Sequence, residues 1–98
     1  MRLTFAWDAG KARRNLAKHR VPFELAVEVF HDQLAVVRPD PEHDDRWIMT
    51  GLGRGRLLVV VYSYVEARTN EEEPEAAIRI ISAREATTRE RRAYRDER

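Results

Sequence analysis

Ninety-eight residues with no cysteine allow one compact domain, 1–98, and exclude disulfide or thiolate chemistry. The chain is 36% charged but also 43% apolar, too apolar for a disordered protein, and no run nears the eighteen or so apolar residues of a membrane span. The N-terminus lacks the apolar core of a leader peptide, so the expectation is a soluble, cytoplasmic protein with no membrane partner.

In chain order, the apolar run at 2–6 reads as a short strand, and Asp8 is placed to cap a helix from Ala9 to about His19. Its inward stripe is expected to be Ala9, Ala12 and Leu16. Pro22 suits the first turn of a second helix, whose core face is expected at Phe23, Ala26, Val27 and Phe30. Strands follow at 34–37, 46–52 and 57–65, the last apolar at both parities, as in a central strand covered on both faces. A Gly-Arg-Gly-Arg turn at 53–56 joins two of them, and a polar loop at 69–75 leads to a strand at 77–82. Ser82 and Thr87 each begin a capping-box pattern, with Glu85 and Glu90 respectively, and the periodic part of the last helix favours Thr87. The expected fold is α+β: a small antiparallel sheet packed with three helices in the order β-α-α-β-β-β-β-α.

The formal net charge of +1 conceals basic ends. Residues 1–20 carry +5, 21–78 carry −7 and 79–98 carry +3. Two basic ends brought together would attract a polyanion, although solvated helix faces explain the charge equally well. Within 78–83, strict alternation puts Ile78, Ile80 and Ser82 on one face and Arg79, Ile81 and Ala83 on the other. A mid-strand arginine needs a carboxylate or a bound phosphate. Arg84 follows at a strand-to-helix junction, Arg46 opens another strand, and Arg54 and Arg56 sit in the turn, which together would suit a phosphate backbone. Lys18-His19-Arg20 ends the first helix; His19 could move a proton and Lys18 could stabilise a developing negative charge, but cations at a helix C-terminus also serve its dipole.

His19, His31 and His43 lie twelve residues apart with no i, i+4 pair, so no metal site is expected, and no Walker loop, dinucleotide fingerprint or nucleophile elbow asks for a cofactor. Trp7 and Trp47 read as core rather than base-stacking residues. Tyr94, one turn after Glu90, either shares a cleft with it or anchors the last helix.

The segments FAWDAGKARRNLAKHRVPFELAVEVFHD, DDRWIMTGLGRGRLLVVVYSY and IRIISAREATTRERRAY, in that order, resemble the BrnT family of type II toxin-antitoxin ribonucleases. The resemblance implies a RelE-like sheet backed by helices and RNA cleavage without metal or cofactor, the ribose 2′-hydroxyl attacking its own phosphate. By carry-over, Lys18, His19, Arg46, Arg84 and Glu90 are the expected catalytic residues, Glu90 and His19 moving protons. Arg79, Lys11, Arg89 and Tyr94 are the expected contacts to RNA. It also implies a BrnA-like ribbon-helix-helix antitoxin, in a heterotetramer that alone brings the toxin to operator DNA. Two departures stand out: Arg20 and Pro22 replace the usual Gly and Ser- or Thr-like cap, and the loop at 71–75 is unusually acidic. A non-catalytic RNA- or antitoxin-binding module of the same fold is the alternative reading.

Overall fold

The computed structural model describes residues 2–68 and 74–96. The chain folds as β1 (Arg2–Ala6), α1 (Ala9–His19), α2 (Phe23–Val29), β2 (Val36–Pro39), β3 (Trp47–Gly53), β4 (Arg56–Arg68), β5 (Glu75–Glu85) and α3 (Thr88–Asp96), the expected order. Most of the polar loop, 69–73, lies outside the described residues, and Glu75 already belongs to β5. Among the described residues no helix is long and apolar enough to cross a membrane.

The five strands stand in the order β1-β5-β4-β3-β2. β2 to β5 form an antiparallel meander, whereas β1 pairs with β5 in parallel, from Arg2 opposite Glu75 to Ala6 opposite Arg79. The β3–β4 hairpin closes through Arg54 (φ 49°) and Gly55 (φ 83°), two left-handed residues whose twist suits a two-residue turn. β4 is the middle strand, and Leu57, Leu58, Val59 and Val60 are all buried because both faces are covered.

One face carries α1 and α2. Phe23, Leu25, Ala26 and Val29 of α2 meet Leu58, Val60, Tyr62, Ile78, Ile80 and Ala83 of the sheet. Each fully buried side chain of this size contributes roughly 1.5–3 kcal/mol. Phe30 stacks edge-on against Phe5 and Tyr62, with centroids 5.0 and 4.9 Å away, and Trp7 does the same against Phe23 at 5.8 Å. Trp7 and Trp47 therefore border the core. Gly53 permits the close approach of α2, since a Cβ there would lie 2.9 Å from the Leu25 carbonyl oxygen. The other face carries α3, whose Tyr94 joins Leu57, Val59 and Ala86 in a second, smaller cluster.

Three expectations change. In α2 the buried stripe also takes in Leu25 and Val29, while Val27 and Phe30 are only partly buried, and Pro22 caps the helix from outside. In α1, Ala9 and Leu16 are exposed and the inward residue is Asn15, 7% exposed. β1 stops at Arg79, leaving the outer edge of Ala83 without a strand. The Asn15 amide takes that place: Nδ2 donates to the carbonyls of Ala83 (2.8 Å) and Val21 (3.0 Å), and Oδ1 accepts from the Ala83 N–H (3.1 Å). The third change is in β5 and shapes the site.

Candidate active site

Strict alternation would send Arg79 and Arg84 to opposite faces. In β5 the register slips: Tyr62 faces Ile80 but Val61 faces Ser82, so Ile81 is an extra, bulged residue. Ala83 thereby joins Ile78 and Ile80 in the α1–α2 core, and Ser82 and Arg84 turn to the α3 face beside Arg79. On β3, Trp47 packs against the α1–α2 core, which puts Arg46 on the α3 face too. On β2, Val36 packs against the α3-side cluster, and Arg38 shares its parity.

Four arginines, Arg38 on β2, Arg79 and Arg84 on β5 and Arg46 just before β3, thus fall on one sheet face. Arg79 pairs with Ser63, and continuing the β3–β4 register one residue past Trp47–Tyr62 sets Arg46 on the other side of Ser63, about 10 Å from Arg79 at the backbone. Arg84 stands roughly 13 Å along β5 from Arg79. α3 covers the Arg84 end, while Arg38 and Arg79 are exposed and Arg46 is half-buried. Among the described residues, Arg38, Arg46 and Arg79 have no carboxylate within ion-pair distance.

Arg84 differs, because it grips Glu90 of α3 with two hydrogen bonds of 2.7 and 2.8 Å and donates a third to the Glu85 carbonyl (3.2 Å). Glu90 also closes the capping box expected at Thr87: its Oε1 accepts from the Thr87 N–H (2.8 Å), and its own N–H donates to Thr87 Oγ1 (3.2 Å). The Arg84 guanidinium, aided by the Thr87 N–H and opposed by partial burial, pushes the Glu90 carboxyl down to about 2. Glu90 in turn holds the Arg84 guanidinium above its usual range.

Tyr94 meets both expectations at once: it anchors α3 and borders a cleft with Glu90. It is buried, and its hydroxyl donates to Asp32 Oδ2 at 2.7 Å, the same oxygen that accepts the Leu52 N–H at 2.9 Å. Between α3 and the β2–β3 edge lies a cavity of about 170 Å³ lined by Val36, Arg38, Thr50, Glu90, Ala93 and Tyr94.

The first-helix candidates divide. Asn15 points at the β5 edge and Ala12 packs on the core. At 100° per residue His19 falls on the Ala12 side, whereas Lys11 and Lys18 flank Asn15 on the other side, the one nearer the α3 face. His19 is half-buried and takes no part in the hydrogen bonds that join Arg84, Glu90 and Thr87. Lys11, Lys18 and, on α3, Arg89 are exposed. Arg56 turns away, to the Arg20 carbonyl (3.2 Å) and Glu85 (3.7 Å). Among the described residues no three His, Asp or Glu side chains cluster as metal ligands.

Sequence reasoning missed Arg38, Thr50 and Asp32. The Val36-x-Arg38 spacing was the available signal for Arg38; Asp32 and Thr50 gain their positions only from tertiary packing.

A sheet backed by two helices, with an arginine-bearing opposite face that a third helix half covers, defines a small basic α+β domain. A family model described as ribonuclease toxin, BrnT, of type II toxin-antitoxin system matches residues 7–90, and the chain belongs to that family. The match includes both partners of the Arg84–Glu90 pair. A search of the curated proteins returned no match. Membership of a type II toxin-antitoxin family implies an antitoxin partner.

Proposed function

We propose that the chain is a metal-independent RNA endonuclease acting in the cytoplasm through the α3 face, and that a BrnA-like ribbon-helix-helix antitoxin neutralises it in a heterotetramer. Only the antitoxin contacts operator DNA in this reading. The observation that carries it is the convergence of Arg38, Arg46, Arg79 and Arg84 on one open sheet face, three of them with no carboxylate within ion-pair distance among the described residues, Asp40 only feeling the charge of Arg46 from further off. Guanidinium groups set in such a row suit successive phosphates of a single strand. Lys11, Lys18 and Arg89 extend the positive field around it.

In the reaction the ribose 2′-oxygen attacks the adjacent phosphorus; the O2′–P bond forms and the P–O5′ bond breaks. The products are a 2′,3′-cyclic phosphate and a free 5′-hydroxyl. Arg84, fixed by Glu90, stabilises the charge gathering on the non-bridging oxygens, with Arg46 and Arg79 holding the flanking phosphates. Glu90, ionised at neutral pH and already accepting from Arg84 and the Thr87 N–H, holds the guanidinium in place, while water takes the 2′-proton and supplies one to O5′. Tyr94 supports the site through its anchoring bond to Asp32, and its ring lines the cavity beside Glu90.

The non-catalytic module is favoured by one observation: a carboxyl held near 2 is a feeble base. Incubating the antitoxin-free protein with RNA in excess EDTA, beside Arg84→Ala, separates the readings. Cyclic-phosphate ends produced by the native protein alone support the nuclease; intact RNA bound by folded protein supports the module. Co-expression of an adjacent ribbon-helix-helix gene should relieve growth arrest, and persistent arrest would refute the antitoxin assignment.

A further inference from the structure

The cavity between α3 and the β2–β3 edge has the size and chemistry of a base-binding pocket. At about 170 Å³ it exceeds the space of a single nucleobase only modestly. Its walls are apolar at Val36 and Ala93, with the Tyr94 ring alongside and polar groups at Thr50, Glu90 and Arg38. Glu90 belongs both to this cavity and to the Arg84 pair, so the pocket directly adjoins the guanidinium assigned to the scissile phosphate.

We infer that this pocket receives the base next to the cleaved phosphate, and that it selects bases carrying an exocyclic amine over uracil; the inference rests on the α3 face being the RNA site. The selection follows from the hydrogen bonds left over. Glu90 Oε1 already accepts from Arg84 and Thr87, whereas Oε2 accepts only from Arg84 and retains one acceptor position. The carboxylate is ionised and can only accept. Adenine, cytosine and guanine each offer an amine to it. Uracil offers one N–H flanked by two carbonyl oxygens, whose lone pairs would face the carboxylate. The Thr50 hydroxyl, with no side-chain hydrogen bond among the described residues, and the Arg38 guanidinium are placed to serve the ring acceptors of the same base.

The test uses the full chain and fluorescently labelled 2′-deoxy pentamers of adenosine, cytidine and uridine, which lack the attacking hydroxyl and make the register irrelevant. Anisotropy titration should show the adenosine and cytidine pentamers binding about ten-fold tighter than the uridine pentamer, the worth of one charge-assisted hydrogen bond. Ala93→Leu fills the pocket from an exposed helical position, removes no hydrogen bond, and should bring all three affinities to the uridine level. Circular dichroism checks that the variant folds. Equal affinities in the native protein, tighter uridine binding, or a preference surviving Ala93→Leu would overturn the pocket while leaving an RNA site in place. Failure of every pentamer to bind would instead remove the RNA site itself, and the pocket with it.

Discussion

Glu90→Gln keeps the shape of the side chain and removes its charge, which makes it the sharpest probe of the Arg84 pair. In the native protein the carboxyl falls from its ordinary 4.5 to about 2, equivalent to an upper limit of about 3 kcal/mol. The pair is partly solvated, with the Arg84 side chain 40% and Glu90 24% exposed, so screening reduces this to about 1–2 kcal/mol. A domain of this length should lose roughly 4–15 °C in Tm at pH 7. The pH dependence is more telling. Because the folded carboxyl is depressed, its stabilisation is complete above about 4.5 and disappears as pH falls through about 2. Asp8 and Asp40 are also held low, chiefly by the Lys11 and Glu42 N–H groups, but they are common to both proteins and cancel in the difference. Urea unfolding of both proteins from pH 7 to pH 2.5 should therefore show a gap that narrows steadily below pH 4.5. A gap that stays constant with pH, or that is absent at pH 7, would refute the strong ionic pairing.

Asn15→Ala strands two carbonyls and an N–H that the amide now serves, and should cost about 3–5 kcal/mol by urea unfolding; a loss under 1 kcal/mol would mean that water replaces it. Arg20 closes α1 in the left-handed region (φ 59°), where glycine is at ease, so Arg20→Gly should stabilise by about 0.5–1 kcal/mol, and a lower Tm would contradict that. Arg79→Gln should weaken RNA binding at low salt and flatten the log affinity against log salt slope by about 0.7, as expected for one lost phosphate contact; an unchanged slope would place the RNA elsewhere. His19→Ala should leave the cleavage rate at the native level, since His19 turns to the core side of α1; a collapse of the rate would restore it to the reaction.

The elements most legible in the sequence are those fixed by local chemistry. Asp8 caps α1 by accepting the Lys11 N–H at 2.8 Å, and Thr87 with Glu90 starts α3, because both signals involve groups only three residues apart. The both-parity run of β4 likewise announces the central strand. The parallel pairing of β1 with β5 was not legible, since partners some seventy residues apart leave no local trace. The role of Asn15 left no local trace, because its partners, Val21 and Ala83, are assembled only by the fold. The site was half legible. The arginines stood out as excess charge, but alternation alone set Arg84 against Arg79, and a bulge carries no signature in a run such as Ile-Ile-Ser. The cavity, built from β2, β3 and α3, exists only after the sheet edge and the last helix meet.

That single surplus residue at Ile81 acts as a phase shifter, setting which face of the sheet each later residue of β5 occupies. Pairing Ile81 regularly opposite Val61, with every residue retained, would give a smoother ladder and a more regular strand. It would also rotate Arg84 into the hydrophobic interior and expose Ala83, separating the α3 carboxylate from its cation without altering either residue. In this molecule, regularity of the sheet and assembly of the basic face are opposed, and the irregular version is the one the chain adopts.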